Sequence, residues 1–249
     1  MSNDIKKEES AKDKKGSKKW LVGLLIAALI LLWVAPPLAA ELYLRENIGN
    51  LMKADTPREV RLDTNTFKLI TGSFEELEVK GDNLTIGNLQ VESYELLASS
   101  GKINVFETLR EKDVIVKESP VADLTLHITI EDIKNLLKSY YESLNDIEVV
   151  AYDGYLQING VSDTPRGKEV PISFNAELSS SDWSSLQIEP IALSVDSNYE
   201  GELGQEEIQE LIDVYSIDIS FEDTNPPIFI DSVNVDTKEV LITANTSLS

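Results

Sequence analysis

Hydrophobic and polar residues alternate along most of the chain after Arg58. This period of two predicts β-strands, because successive side chains of a strand point to opposite faces of a sheet. Gly, Asn, Asp and Pro separate the apolar runs, which predicts turns at Gly81–Asn83, Asp153-Gly154 and Asp163–Pro165. One apolar and one polar face per strand are typical of antiparallel sheet. The alternating apolar runs are Leu77/Val79, Leu84/Ile86, Ile103/Val105, Val114/Val116, Leu124/Leu126/Ile128, Ile147/Val149, Leu156/Ile158, Val170/Ile172/Phe174, Ile191/Leu193/Val195, Ile217/Ile219/Phe221, Ile228/Ile230, Val233/Val235 and Val240/Ile242.

Three segments change to the helical period. Thr129 offers an N-cap hydroxyl and Asp132 an acid three residues on, which predicts a helix over Thr129–Leu144. Further helices are predicted near Gln205–Tyr215 and over Glu41–Lys53, the latter ending at Thr56-Pro57. In chain order, the apolar faces are Leu44, Ile48 and Leu51, then Ile133, Leu136, Leu137 and Tyr140, then Ile208, Leu211, Ile212 and Tyr215.

The run Trp20–Ala40 contains no charged residue. Its length meets the roughly 20-residue requirement for a transmembrane helix. Seven lysines precede it within residues 1–19, and positive flanks stay in the cytoplasm, so residues 41–249 are expected to face outward. A cleaved signal peptide is the alternative, because Pro36-Pro37 limits the uninterrupted apolar part to Leu21–Ala35.

These segments divide the chain into four parts. Residues 1–19 are predicted to be a disordered, basic cytoplasmic tail, and residues 20–40 a transmembrane anchor. Residues 41–57 are predicted to be a juxtamembrane helix and linker, and residues 58–249 an extracytoplasmic β-rich domain. The expected location is the cell membrane, crossed once, with the N-terminus in the cytoplasm.

Charge and cysteine content narrow the range of partners. The formal net charge is −22, and a negative field of this size opposes nucleic-acid binding. The chain has no cysteine, which excludes disulfides, thiolate metal sites and cysteine nucleophiles. A domain of this kind must be held together by packing alone.

Side chains suited to catalysis are sparse. His127 is the only histidine, and its alternation with Leu126 and Ile128 places it on the polar face of a strand. A single imidazole cannot build a multi-histidine zinc site, and no serine lies in a Gly-x-Ser-x-Gly elbow. Acidic residues are so abundant that pairs of carboxylates arise by chance, so such a pair does not indicate catalysis. We therefore predict no enzymatic activity and no cofactor.

One segment has the spacing of a calcium-binding loop. Asp196, Asn198 and Glu200 stand at positions 1, 3 and 5 of that pattern, and Glu207 at position 12. The preceding Ile188–Val195 alternates like a strand, so the incoming helix of the motif is missing. The favoured interpretation is a turn that leads into a helix with acids at its positive end. Calcium is the weaker alternative.

A sheet of this size has more apolar surface than two helices can cover. About a dozen strands roughly 4.8 Å apart make a face of roughly 55 Å across, and each helix covers about 10 Å of it. The sheet must therefore close on itself as a barrel or sandwich, or leave a groove that another apolar body fills.

The segment Gly72–Val91, GSFEELEVKGDNLTIGNLQV, resembles the opening of the LmeA-like phospholipid-binding family of bacterial proteins. The Thr129–Leu144 helix, the Ile147–Val161 hairpin and Pro226-Pro227 before two final strands fit the same order, so the resemblance spans roughly residues 58–249. It implies one membrane segment and an extracytoplasmic domain with an acyl-chain groove like that of tubular lipid-binding domains. The implied fold class is α+β, an N-terminal transmembrane helix followed by a long curved antiparallel β-sheet wrapped around two amphipathic helices.

Pattern and resemblance together predict a membrane-anchored, non-enzymatic protein that binds phospholipid or another acyl-chain lipid in an apolar groove. Membrane lipid is the expected partner, and cell-envelope lipid handling the expected role. Two other classes stay open: an envelope interaction or scaffold protein with a closed β core, and a calcium-dependent binding module. The residues that the pattern places in the groove are Phe74, Leu77, Val79, Leu136, Leu137 and Tyr140.

Overall fold

The computed structural model of the chain describes residues 35–48, 54–103, 116–118, 121–163, 169–195, 213–222, 224 and 227–247. Residues 35–48 form helix α1, and two further helices are α2 (Thr66–Ile70) and α3 (Ile130–Tyr140). The strands are β1 (Glu59–Asp63), β2 (Ser73–Ile86), β3 (Leu89–Ile103), β4 (Val116–Glu118), β5 (Val121–Thr129), β6 (Leu144–Tyr152), β7 (Tyr155–Asp163), β8 (Glu169–Asp182), β9 (Ser185–Val195), β10 (Ile217–Ser220), β11 (Ile228–Val235) and β12 (Glu239–Ser247).

Strands β1 to β5, β11 and β12 form a seven-stranded antiparallel sheet, called the first sheet below. Its order is β1-β2-β3-β5-β12-β11, with β4 paired to β3. The longest pairing joins β2 to β3, from Ser73 opposite Lys102 to Ile86 opposite Leu89. Strand β1 stands at the end of this order, so one of its edges has no strand partner in the described part of the chain.

Strands β6 to β10 form a second antiparallel sheet in the order β10-β9-β8-β7-β6, and it meets the first sheet at β11. The N–H of Ile230 donates to the carbonyl of Trp183 in the β8–β9 turn at 2.6 Å. The N–H of Gly154 in the β6–β7 turn donates to the carbonyl of Val235 at 3.0 Å. Because these bonds lie at opposite ends of β11, this strand runs across the turn ends of both hairpins. The strands together form a curled antiparallel layer shaped like half a barrel.

The apolar faces of both sheets and of α3 form one hydrophobic core. Helix α3 lies between β5 and β6 in the chain and turns one side inward. The chain therefore covers most of its own apolar sheet surface. The buried residues of α3 are Ile133, Leu136 and Leu137, and the largest buried aromatic side chains are Tyr94, Tyr215, Phe174 and Phe221.

An aromatic cluster closes the core beside residues 213–216. The ring of Tyr215 stacks on Phe174 with centroids 5.3 Å apart and meets Tyr141 edge-on at 4.9 Å. The Tyr141 hydroxyl donates to the carbonyl of Tyr215, whose own hydroxyl lies 2.7 Å from Oγ of Ser162. Burial raises the pKa of Tyr141, and the neighbouring Tyr215 adds to the rise. The Tyr141 hydroxyl is therefore protonated, and able to donate, at neutral pH.

The alternating pattern predicted most of the described strands. On β5 the apolar triplet at 124–128 is buried, and His127 lies with Thr125 on the other face, as expected. The predicted turn at Asp153-Gly154 is present, with Gly154 at a φ of +88°. The predicted runs at Val105 and Val114 include positions outside the described residues.

The turn predicted at Gly81–Asn83 is wrong, because β2 runs unbroken through these positions. A Cβ at Gly81 would overlap the ring of Tyr94 on β3, and Asn83 adopts a φ of +56° within the strand. The glycine here marks the close approach of a neighbouring ring rather than a chain reversal.

Two irregularities change the face to which residues point. A register shift between Asn175 and Ala176 leaves Ile191 unpaired in the β8–β9 ladder and 56% exposed, although its alternation with Leu193 predicted one apolar face. A second shift between Ile230 and Ser232 explains why the buried positions of β11 change from even to odd numbers. Insertions of one residue of this kind are β-bulges.

Helix α3 begins as predicted. The hydroxyl of Thr129 accepts from the N–H of Asp132 at 3.1 Å, and the Asp132 carboxylate accepts from the N–H of Thr129 at 3.3 Å. This reciprocal capping box satisfies donors that a helix N-terminus otherwise leaves unpaired. The helix ends at Tyr140, earlier than the predicted Leu144, which begins β6.

Helix α1 spans the boundary between the predicted anchor and the predicted juxtamembrane helix, and it includes Pro36 and Pro37. Among the described residues, no helix is long and apolar enough to cross a membrane. Residues 20–34 of the predicted anchor lie outside the described residues, as do the end of the Glu41–Lys53 helix and most of the Gln205–Tyr215 helix. Helix α2 was not predicted.

Candidate functional site

A cavity of about 440 Å³, called the α1 pocket below, lies between α1 and the first sheet. This volume falls within the roughly 300–1,000 Å³ of small-molecule sites in proteins. None of the described residues that line it has a charged side chain. The lining residues are Pro36, Ala39, Ala40, Tyr43 and Leu44 of α1, Leu62 of β1, Leu69 of α2, and Gly72, Ser73, Phe74 and Ile103 around the start of β2 and the end of β3.

Helix α1 is fixed over the open edge of β1. The carboxylate of Glu41 accepts from the N–H of Leu62 at 3.1 Å, and Nε of Arg45 donates to the carbonyl of Pro57 at 3.0 Å. Leu44 and Ile48 of α1 are buried in the core. The helix thus covers an edge whose backbone groups would otherwise be unpaired, and its inward face becomes one wall of the pocket.

The opposite wall is built where β2 begins. The N–H of Ile103 donates to the carbonyl of Gly72 at 2.8 Å, and Gly72 adopts a φ of +79°. A Cβ at Gly72 would overlap the carbonyl of Ile103, so only glycine permits this approach. Phe74 follows on β2 and is 5% exposed, which places its ring against the pocket.

Helix α2 closes a third side and is held by its cap rather than by burial. Asn65 is the N-cap, and its side-chain oxygen accepts from the N–H of Lys68 at 3.0 Å. No residue of this five-residue helix is buried, yet Leu69 lines the pocket and packs against the core. Lys68 also pairs with Glu75 on the adjoining strand.

The lining chemistry suits an aliphatic ligand. The hydroxyls of Tyr43 and Ser73 are the only side-chain polar groups among the lining residues. Neither carries a charge in its ordinary state. An ionic or strongly polar ligand would lose its hydration without compensation in such a cavity, whereas a hydrocarbon chain would gain by leaving water.

The structure places the predicted groove residues in different surroundings. Phe74 lines the α1 pocket. Four others, Leu77, Val79, Leu136 and Leu137, lie in the closed core with at most 4% exposure. Tyr140 is 41% exposed at the end of α3. Only Phe74 is thus brought together with the cavity.

The sequence pattern did not single out the α1 wall of the pocket. Pro36 to Leu44 belong partly to the uncharged run and partly to the segment read as a juxtamembrane helix. The helical spacing of Leu44 and Ile48 was a usable signal, because both residues turn inward. That their helix returns to the edge of β1 depends on contacts distant in sequence, such as that between Glu41 and Leu62.

Other candidate chemistry lies away from this cavity. Nδ1 of His127 is 3.0 Å from Oε2 of Glu239 on the neighbouring strand β12, which agrees with its predicted place on the polar face of a strand. Within the described ranges, no group of three His, Cys, Asp or Glu residues could hold a metal ion. The candidate calcium ligands, Asp196, Asn198, Glu200 and Glu207, lie outside the described residues.

Fold and cavity define a β-rich protein with a half-barrel sheet and an apolar pocket of small-molecule size. The chain belongs to the LmeA-like phospholipid-binding family, whose family model matches residues 35–245. The match confirms the resemblance of Gly72–Val91, and it extends further toward the N-terminus to include all of α1. Searches of the curated proteins and of the solved structures found no match.

Proposed function

We propose that the protein binds phospholipid, or another lipid with acyl chains, by placing hydrocarbon in the α1 pocket. The observation that carries this proposal is the lining of the cavity, whose described residues are apolar apart from two hydroxyls and carry no charged side chain. Membership of a phospholipid-binding family supports the same ligand class. The headgroup has no place in such a lining and remains outside it.

The hydrophobic effect supplies the affinity. Each methylene transferred from water contributes roughly 0.8 kcal/mol. A cavity of about 440 Å³ holds part of a lipid rather than both chains with their headgroup. Affinity rises tenfold for about every 1.4 kcal/mol, so each further buried methylene makes the ligand harder to release. Partial burial therefore suits a protein that must also release its ligand.

The protein works beside a membrane in this proposal. The uncharged residues 20–40 serve as the anchor, and the lysines before them keep the N-terminus in the cytoplasm. The β-rich domain then lies outside the cell, in the envelope. Because residues 35–40 belong both to the uncharged run and to α1, the wall of the pocket begins close to the anchor. No covalent chemistry is part of the proposal.

A scaffold role is the second candidate, and one observation favours it. Both sheets and α3 share one hydrophobic core, which is what a closed β scaffold needs. The two functions differ in the contents of the α1 pocket. A scaffold leaves it without lipid, whereas a lipid-binding protein is purified with lipid in it.

Lipid content of the purified full-length protein tests the proposal. We expect native mass spectrometry and solvent extraction to find bound acyl-chain lipid. Ala40→Phe places a bulky side chain in the pocket and should lower the affinity for lipid about tenfold, the equivalent of two methylenes displaced, and so lower the lipid content. Ala39→Trp fills the same cavity from an exposed position and guards against a folding defect in the first variant.

Glu46→Trp is the matched control, because Glu46 lies on the same helix, is exposed and does not line the pocket. Its lipid content should equal that of the unmodified protein. If all preparations are repeatedly free of lipid, or if the two pocket variants retain as much lipid as Glu46→Trp, the proposed function is wrong.

A further inference from the structure

Two elements that wall the α1 pocket expose large apolar side chains. Leu38 and Leu42 on α1 are 53% and 62% exposed, and Phe67 and Ile70 on α2 are 66% and 74% exposed. Helix α2 borders the same cavity as the first turns of α1, because Leu69, Pro36 and Ala39 all line it. The four exposed side chains therefore belong to one end of the domain.

The outward face of α1 has the wrong polarity for contact with water. A surface helix normally turns charged residues outward. Here the exposed positions of the first two turns are Ala35, Leu38, Ala39 and Leu42. Glu41, the first acid after the uncharged run, points instead to the N–H of Leu62 on β1. The helix is apolar on both sides over these turns, as expected where one side meets protein and the other meets hydrocarbon.

The polarity changes further along the helix. Arg45 and Glu46 are the next exposed residues after Leu42. From Leu38 to Arg45 the helix rises about 10 Å at 1.5 Å per residue. The apolar part of this outward face is therefore about 10 Å long and ends at two charged residues.

Chain continuity indicates what covers this surface. Residues 20–34 directly precede α1 and contain no charged residue. A bilayer that holds them lies against the first turns of α1 and against α2. Attraction between charges is a poor alternative explanation, because the chain carries a formal net charge of −22 and anionic headgroups repel it.

We infer that Leu38, Leu42, Phe67 and Ile70 form a docking surface that enters the interface of the bilayer holding the anchor. The inference rests on the membrane anchoring and outward orientation given under Proposed function. It adds a route for the ligand: Ala39 is exposed and also lines the α1 pocket, so the cavity opens beside the docking surface. An acyl chain passes between bilayer and pocket there without crossing water.

Site-specific fluorescence on the full-length protein in phosphatidylcholine vesicles tests the docking surface. The chain has no cysteine, so Phe67→Cys and Ile70→Cys each give one labelling site for an environment-sensitive dye. Asn88→Cys is the control. It is exposed in the turn at the far end of β2 from α2. Measured along the strand, the 14 residues of β2 at roughly 3.3 Å each separate it from α2 by about 45 Å.

Labels at positions 67 and 70 should emit at shorter wavelength than the label at position 88. Spin-labelled lipid should quench them, and aqueous iodide should not. The label at position 88 should behave in the opposite way. Quenching of all three labels by iodide alone overturns the docking surface. So does shielding of positions 67 and 70 from both quenchers, because a protein partner or a second copy then covers them.

Lipid content of the same purified protein, measured before it is added to vesicles, separates this inference from the proposed function. Bound lipid without quenching by spin-labelled lipid means that the protein binds lipid but does not dock by this surface. Quenching without bound lipid means that the domain docks on the bilayer and the α1 pocket has another use. Reduced lipid exchange in a Phe67→Ser, Ile70→Ser double variant with an unchanged melting temperature would support the route through Ala39.

Discussion

The carboxylate of Glu41 accepts a hydrogen bond from the N–H of Leu62 at 3.1 Å, which joins α1 to the open edge of the first sheet. This contact holds the α1 wall of the pocket, which the sheet itself does not supply, in place. It also turns the only acid in the first turns of α1 away from the outward face.

Loss of this contact should loosen α1. In Glu41→Ala the N–H of Leu62 loses its acceptor, and a hydrogen bond to a charged group contributes about 1.5–3 kcal/mol, less where water reaches the group. We expect faster amide exchange in the peptides that contain α1 and β1, with little change in β6 to β9. Glu142→Ala, at an exposed site after α3, is the control. Unchanged exchange at Leu62 in Glu41→Ala would contradict the account of how α1 is held.

Gly81 should be intolerant of any side chain. Gly81→Ala introduces a Cβ that overlaps the buried ring of Tyr94, and overpacking of a core typically costs about 1–3 kcal/mol. Chemical denaturation should therefore show a clear loss of stability. In a Tyr94→Val background the ring is absent, so the same substitution should cost much less. Equal costs in both backgrounds would mean that the glycine is needed for another reason.

The hydroxyl of Tyr94 should contribute nothing favourable at neutral pH. It is buried and has no hydrogen-bond partner in the described part of the chain, and an unsatisfied buried hydroxyl costs about 1–3 kcal/mol. Tyr94→Phe keeps the ring against Gly81 and should leave the free energy of unfolding unchanged or raise it. A marked loss of stability at pH 7 would show that the hydroxyl has a partner.

The same substitution should change the response to alkali. Burial raises the pKa of Tyr94 from 10.0 to about 12, and the charges of Asp82 and Asp55 add to the rise. The folded state therefore holds this proton more tightly than the unfolded state. This proton therefore leaves stability unchanged below pH 10, and the folded state is progressively destabilised as the pH rises toward 12. In denaturation curves across this window, Tyr94→Phe should lose less stability than the unmodified protein, and parallel losses would contradict the assignment.

The β11–β12 turn should weaken in acid. Oδ1 of Asp236 accepts from the N–H of Lys238 at 2.6 Å and from that of Glu239 at 3.0 Å, and these bonds hold the pKa of Asp236 below its usual 3.8. Its stabilisation is present above pH 3.8 and is lost as the pH falls below that value. Asp236→Ala should therefore be less stable than the unmodified protein at pH 7, with a difference that shrinks in acid.

Asp236→Asn separates charge from geometry, since the amide oxygen still accepts both bonds. Its stability relative to Asp236→Ala should persist in acid. A stability difference between Asp236→Ala and the unmodified protein that stays constant from pH 7 to pH 3 would rule out a contribution from the carboxylate charge.

Local signals in the sequence predicted the elements that depend on local physics. The alternation of apolar and polar residues correctly predicted β5, β7 and β12, because each of these strands has one buried face. Thr129 and Asp132 gave the start of α3 through a cap contained within one helical turn. Helix α2 was not predicted, because its five residues are too few to show a helical period. The helix is held by the side chain of its N-cap, Asn65.

The predictions that failed depend on contacts distant in sequence. Gly81 has the composition signal of a turn, but its role is set by Tyr94 on another strand. Ile191 continues an apolar alternation and is exposed because β8 and β9 shift register beside it.

The groove residues were also chosen from a local pattern, and whether they bind lipid stays a prediction. Leu136 and Leu137 have the apolar face expected of a groove helix, but an amphipathic pattern does not say what covers it. In the structure the two residues are buried in the shared core of both sheets. The cavity lies instead where α1 returns to β1, a placement that no periodicity encodes.

Photo-crosslinking tests the central claim most directly. The full-length protein would be loaded with a phospholipid that carries a photoreactive group within one acyl chain, irradiated and digested. Mass spectrometry should then find crosslinks in the peptides that cover residues 36–44 and 62–74, and Ala40→Phe should reduce them. Crosslinks that avoid these peptides and fall elsewhere, or an unchanged yield in Ala40→Phe, would contradict a lipid site between α1 and the first sheet.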